Sequence, residues 1–381
     1  MNPRRSFLTG RLTWRPSSFL PSAAPAKAAE KRFSFRSVPD QSLFGPMTSI
    51  SRRAMATAFE FLVNDPAEDG FNGRPAAEIA LDALDKIDRA EEILSVFRPG
   101  SIVSRINACA SEFDVPLTEP FRDWLDKSLA LGRLTDGAFD IAAGSLWEGW
   151  GFARREGRFP TEEERAGALA CSGMKHLSVD EDRQVIRLDR EGVILNFGGI
   201  GKGIGLDEAA GAAEAQGLKD FLVQGGRSGA VARGGRRGDH SPTLRRGVWT
   251  VSVTDPLRPD HPLAMIRLAD RALATSGSAE QFFIYEGKRY SHILDPATGF
   301  PAAGLLSVTV LGPTAAEADA LSTALFVMGE KKSVAFCQDH PEYSALLVTE
   351  EEADSTRRLI AVNMDEDTLS ILTEDLPLEI F

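Results

Sequence analysis

Apolar and polar positions along this chain fall into short stretches of mixed period. Residues 54–63, AMATAFEFLV, read as a first strand, whereas Ile79, Ala83, Ile87, Ala90 and Leu94 recur at helical spacing and predict a helix over 75–96 opened by Pro75. Phe121, Leu125 and Leu129 mark a second helix, with Thr118 as its cap and Pro120 in its first turn. Thr161 and Glu164 have the spacing of a capping box for a third. HLSVDEDRQVIRLD (176–189) reads as a hairpin turning at Asp180-Glu181-Asp182. Residues 204–216 form an alanine-rich helix, followed by the strand-like FLVQGG. From 247 onward strands dominate: VWTVSVTD, LAMIRLA, QFFIYEGKRYSHIL folded about Glu286-Gly287, and LLSVTVLG. A helix at 315–328, a further helix and three short strands complete the chain. Strands and helices mix without strict alternation, which favours an α+β fold over a doubly wound sheet.

Composition changes this picture at one end. The 381 residues are 43% hydrophobic, enough for a sizeable core, and no apolar run reaches membrane-spanning length. The formal charge is −12, yet residues 1–53 carry ten Lys/Arg against Glu30 and Asp40, leaving about −20 on the remainder. That balance excludes a nucleic-acid surface over the body. The head is rich in Ser, Pro and Arg without apolar periodicity, so 1–53 is expected to be a disordered basic segment and 54–381 the folded domain. RRSFLTG at 4–10 resembles the start of a twin-arginine export signal, but RLTWRPSSFLPSAAPAKAA interrupts the required apolar region with Arg and Pro. A cytoplasmic location is therefore favoured, with a periplasmic or membrane-associated one as the alternative. Cys109, Cys171 and Cys337 are too scattered for a disulfide framework or a cysteine-based zinc site. Residues 225–247, GGRSGAVARGGRRGDHSPTLRRG, hold six arginines and read either as a solvated loop or as a basic lip over an anionic ligand or protein partner.

Candidate chemistry centres on LNFGGIGKGIGLDEAAG (195–211). A P-loop needs a hydroxyl residue after its lysine, and Lys202 is followed by Gly203. A Rossmann fingerprint needs G-x-G-x-x-G, which fails here at Ile204 or Leu206. A backbone-lined anion site at a helix N-terminus and a simple strand-to-helix turn both remain open. Four further stretches carry polar chemistry: TDGAFDIAAGSLWEGWGF (135–152), TSGS (275–278), SHILDPATG (291–299) and EADALSTALFVMG (317–329). In the last, Asp319 and Thr323 lie four apart and share a helical face, so both oxygens can point at one hard cation such as Mg²⁺. Asp-Pro-x-Thr-Gly is also a turn signal, and Trp147 and Trp150 read as packing groups.

Taken in order, MATAF (55–59), FRPGSIVSRIN (97–107), TDGAFD (135–140), GGIGKGIGLD (198–207), TSG (275–277), SHILDPATG (291–299) and ADALSTALFVMG (318–329) resemble the ApbE family, the FAD:protein FMN transferases, over about residues 53–375. The resemblance implies an ApbE-like, T-fold-related arrangement of mixed sheets with packed helices. It implies Mg²⁺-dependent cleavage of FAD, with FMN joined to a threonine or serine of a target protein and AMP released. By similarity, the Gly199 carbonyl, Asp319 and Thr323 would hold Mg²⁺. Met55, Phe97, Ala138, Phe139, Asp140, Asn196, Lys202 and Leu294 would line the FAD site, and His292 and Lys202 would serve catalysis. This chain departs from the family pattern at Phe97, where tyrosine is usual, at Asn196, where aspartate is usual, and at GGRSG (225–229), where a Gly-Gly-Asp/Asn turn is usual. FAD hydrolysis to FMN and AMP, and a flavin-binding relative without transfer chemistry, are the alternative readings.

Overall fold

The computed structural model describes residues 34–38, 47–64, 73–236, 240–241, 246–350, 357–373 and 376–381. The RRSFLTG stretch and most of the basic head lie outside them.

One ten-stranded sheet organises the chain, in the order Ser34–Val38, Met47–Ala54, Thr57–Asn64, Phe221–Gly225, Gly229–Arg233, Ala272–Gly277, Leu305–Gly312, Ser344–Glu350, Arg357–Val362 and Leu378–Ile380. All neighbours are antiparallel except the last pair. Successive strand residues point to opposite faces, and both faces are covered. Ala345, Leu347, Ile360 and Val362 join the helical core, while Leu346, Val348, Leu359 and Ala361 pack with Trp249, Leu263 and Ile266. The second group caps the far face with a three-stranded sheet of Trp249–Thr254, Pro262–Leu268 and Leu369–Ile371. The α+β class is as expected.

The helical layer is built from Ala76–Leu94, Gly201–Ala215 and Ala315–Asp339, the last interrupted at Gly329, whose φ of 73° ends the first helical run. The 201–215 helix is sandwiched between the other two, which is why its apolar pattern is not one-sided. The expected 75–96 helix runs from Ala76 to Leu94 with its predicted stripe buried. Thr161 and Glu164 form the expected capping box.

Several expectations shift. Thr118 does not cap the Phe121–Leu134 helix by its side chain; its carbonyl accepts from the Arg122 N–H instead. Strand Met47–Ala54 straddles the expected boundary at 53 and pairs along its length with Thr57–Asn64. It buries Ile50 and ion-pairs Arg52 with Asp88 at 3.0 Å and with Asp85. The loop expected over 225–247 contains the strand Gly229–Arg233, because its Gly-Ala-Val-Ala run slots into the sheet between two neighbours. Its residues 237–239 and 242–245 lie outside the described set. Beyond the long helix there are four short strands rather than three. Among the described residues no helix is long and apolar enough to cross a membrane.

Candidate active site

A cavity of about 1100 Å³ opens where the end of the Ala76–Leu94 helix and the start of the Gly201–Ala215 helix meet the central strands. Its floor includes Gly198, Gly201 and Lys202 of the glycine-rich segment, whose helix starts three residues before the expected position 204. Residues Gly201–Ala215 are helical, so Gly201, Lys202 and Gly203 occupy the first turn. A Cβ on Gly203 would lie 2.2 Å from the Ala315 carbonyl oxygen and 2.7 Å from the Ala316 Cα. Only glycine permits this backbone-to-backbone approach. Asp207 locks the same contact by accepting from the Ala315 and Ala316 N–H groups at 2.7 and 2.9 Å, the first turn of the long helix. Burial pushes the Asp207 carboxyl up to about 6.

The close approach brings two polar faces together. Gly203 donates its N–H to Asp319 Oδ2 at 3.0 Å. Asp319 is buried, and burial raises its carboxyl above the usual carboxylate range, against the Lys202 charge and the Gly203 N–H. Thr323, one turn on, meets Ser276 at 3.1 Å, and Ser276 also meets Ser322 at 2.8 Å. The Gly199 Cα faces this cluster, since a Cβ there would sit 3.4 Å from Thr323 Oγ1 and 3.4 Å from the Phe139 ring. Gly199, Asp319 and Thr323 are therefore neighbours. They offer a carboxylate, a hydroxyl and a carbonyl, hard oxygen donors around a buried carboxylate whose charge burial opposes, and that set suits Mg²⁺ completed by substrate phosphate oxygens. Among the described residues no group of three or more His, Cys, Asp or Glu converges as a metal site.

Lys202 lines the cavity and donates to Ser228 Oγ at 2.6 Å. His292 is half-buried, and its Nδ1 lies 3.1 Å from the Gln281 carbonyl oxygen. A carbonyl only accepts, so Nδ1 carries the proton and Nε2 its lone pair. Burial lowers the pKa of His292, opposed by Glu280 and the Gln281 carbonyl and reinforced by Lys202. Glu280 and Lys202 both line the cavity, so the imidazole sits within electrostatic reach of its wall.

The ApbE family model matches residues 55–347, most of the chain. The chain belongs to the ApbE family. It is 32% identical over 270 residues to the FAD:protein FMN transferase of Escherichia coli K12, an alignment covering 69% of this chain and 75% of that protein. It is 31% identical to the Treponema pallidum protein of the same name, over 73% of this chain and 80% of that one. The crystal structure of the ApbE protein from Thermotoga maritima superposes with a TM-score of 0.69 at 32% identity, covering 79% of this chain and 94% of that one. The flavin transferase ApbE from Vibrio cholerae superposes with a TM-score of 0.70 at 27% identity, covering 83% and 96%.

Within this ApbE fold the expected site residues divide. Met55, Phe97, Asn196 and Lys202 line the cavity. Met55 and Ala56 form the two-residue turn joining Met47–Ala54 to Thr57–Asn64, both at positive φ (48° and 59°), and the Met55 side chain reaches over Gly205. Phe97 stands at the mouth, 70% exposed, edge-on to Trp147 with ring centroids 6.2 Å apart. Asn196 differs in role from expectation. Its Oδ1 accepts from the Gly198 N–H at 2.8 Å, so its acceptor shapes the glycine turn and its amide donor is what remains for a ligand.

Ala138, Phe139, Asp140 and Leu294 do not line the cavity, and Gly199, His292, Asp319 and Thr323 lie behind its wall rather than on it. Phe139 packs behind Gly199. Asp140 accepts from the Ala142 and Met174 N–H groups at 2.7 and 3.1 Å, tying two loops together. Leu294 lies in an aromatic satellite core with Trp150, Phe152 and Phe283. Trp150 is a packing group, as expected, and donates to the Gly299 carbonyl at 2.8 Å, fixing the Asp295-Pro296 turn beyond His292.

Three contributors lay outside the expected set. Asn107 pairs twice with the Leu195 backbone, at 2.9 and 2.8 Å, and so clamps the irregular segment that enters the glycine stretch. Ser228 holds Lys202. Asp207 joins the two helices. Of these, Asp207 and Asn107 fall inside motif stretches, but no local spacing signals their long-range partners.

Proposed function

We propose that this chain is an FAD:protein FMN transferase, moving FMN from FAD to a threonine or serine hydroxyl of an acceptor protein and releasing AMP. The observation that carries the reading is the cluster of Gly199, Gly203, Asp319 and Thr323 around the glycine segment whose Gly198, Gly201 and Lys202 line one large cavity. Family membership supports the flavin substrate, and the wide mouth, with Phe97 70% exposed, suits a protein acceptor better than a sealed hydrolytic pocket.

Phosphoryl chemistry asks for positioning and charge neutralisation. Mg²⁺, held by Asp319, Thr323 and the Gly199 carbonyl, would neutralise charge on the pyrophosphate oxygens. Lys202 adds a second positive charge on the cavity wall, aimed by Ser228. In this scheme the His292 Nε2 lone pair would take the acceptor hydroxyl proton, since Nδ1 is committed to Gln281. The hydroxyl oxygen then bonds to the phosphorus of the FMN half, the bond from that phosphorus to the bridging oxygen breaks, and AMP departs with the electron pair. Asn196 and Phe97 hold the flavin side of the cavity in this scheme.

The test is incubation with FAD, Mg²⁺ and a threonine-bearing acceptor domain. Equal amounts of AMP and FMN-modified acceptor are expected. AMP without modified acceptor would make the chain an FAD hydrolase, and neither product would leave a flavin-binding protein.

A further inference from the structure

A second cavity of about 460 Å³ adjoins the first. Arg227, Ser252 and Thr254 line both, so one wall is shared. Arg227 sits at the tip of the turn joining Phe221–Gly225 to Gly229–Arg233, at a φ of 63°. That conformation is adopted readily by glycine or asparagine and costs a long side chain backbone energy. The strained turn presents an arginine to the seam between two cavities. Arg154 and Arg155 line the first cavity as well, and both are exposed. Among the described residues none of these three arginines forms an ion pair, whereas Arg98 on the same rim is paired with Glu91 at 2.9 Å and the cavity-lining Asp255 is held by Arg258 and Arg357. Glu280 and Asp260 also line these cavities, but Arg154, Arg155, Lys202 and Arg227 outnumber them, a local reversal of charge on an otherwise strongly acidic body.

We infer that the second cavity and the Arg227 seam form the docking cleft for the acceptor, and that they select an extended protein segment carrying acidic residues beside the target hydroxyl. The inference rests on the transferase reading above for the identity of the partner. Lys202 lies on the cavity floor with the Asp319 cluster behind the same glycine segment, and in the transferase reading they would meet the pyrophosphate. The arginines lie at the rim, where the acceptor chain must cross, and the second cavity gives that chain a path away from the reacting phosphate. Charge complementarity of this kind sets partner choice and weakens with salt.

The probes are two synthetic peptides, a threonine flanked by aspartates and the same peptide with asparagines, bound to the FAD-loaded protein and followed by fluorescence anisotropy. Arg227→Asn keeps a residue suited to positive φ, so the turn survives while the charge is lost. The aspartate peptide should bind wild type more tightly, and Arg227→Asn should weaken it about fivefold, as for one partly exposed charge pair. The asparagine peptide and FAD should bind both proteins alike. No preference for the aspartate peptide, an equal loss for both peptides, or a parallel loss of FAD affinity would overturn the inference; the last would assign Arg227 to the nucleotide. If FAD were hydrolysed with no threonine ever modified, the transferase reading would fall, while an Arg227-dependent preference for the aspartate peptide would still support the cleft.

Discussion

The floor and the rim of the main cavity are built on opposite principles. At the floor and in the layer behind it, polar groups are buried or half-buried and mutually satisfied: Asp319 with the Gly203 N–H, Asp207 with two amides of the long helix, Lys202 with Ser228. At the rim, Phe97, Arg154, Arg155 and Arg227 are exposed, and the arginines have no ion-pair partner among the described residues. Met55 and Arg227, on two hairpin tips, also hold positive φ. Buried networks specify one geometry, because an unsatisfied member is costly. Exposed, unpaired groups specify little about the fold and are left to meet something else. The chemistry therefore belongs to the floor and recognition to the rim.

The largest effect that would break this division is at Gly203. Gly203→Ala places a methyl against the Ala315 carbonyl, forces the two helices apart, and should cost about 3 kcal/mol of stability together with all turnover. Denaturant melts and AMP release check this; a variant with normal stability and rate would mean the helices are not held by backbone contact.

His292→Ala should slow transfer about 10²–10⁴-fold with little change in FAD affinity. Because burial lowers the His292 pKa, the wild-type rate should stay level as pH falls through the ordinary histidine range and decline only below it. A decline centred at or above that range would remove the imidazole from the proton-accepting role.

Asp207 gives a smaller signature, in stability. Its folded pKa of about 6 lies above the ordinary 3.8, so between those values the folded state binds more protons than the unfolded one. Stability from this group is present at the acid end and is lost as pH rises through the window. Asp207→Asn should erase a slope on the order of 1 kcal/mol from unfolding curves taken between pH 4 and 6. Identical slopes in both proteins would show that Asp207 is solvated.

Asn196→Asp should have the smallest effect. Its oxygen already serves the Gly198 N–H, so a carboxylate should strengthen that bond by about 0.5–1 kcal/mol and change FAD affinity less than about threefold. A tenfold tightening by calorimetry would assign residue 196 a direct flavin contact.

Much of the frame was legible in the sequence because it rests on period and local chemistry. The apolar run LLSVTVLG marked the strand at 305–312, the Ile79–Leu94 stripe marked the first helix, and the Thr161–Glu164 spacing gave a capping box that forms. What stayed hidden depends on partners far along the chain. The Gly201–Gly203 stretch reads as preceding the helix rather than as part of it, because Gly203 serves a helix contact more than a hundred residues away. Gly229–Arg233 looked like basic loop because its run of small residues becomes a strand only once neighbours flank it. Asp140 and Leu294 sit in motifs that border the site, yet one ties loops and the other fills a satellite core. Motif membership marks the neighbourhood of the chemistry but does not separate the residues that touch ligand from those that hold the wall in place.

The claim that the floor carries the chemistry is tested most directly by titrating Mg²⁺ at fixed FAD and acceptor in wild type and Asp319→Asn, reading AMP and acceptor mass together. Wild type should give a saturable rise in both products, and the variant should give neither at any Mg²⁺ concentration that saturates wild type while still binding FAD. The same metal dependence in both proteins would contradict the account.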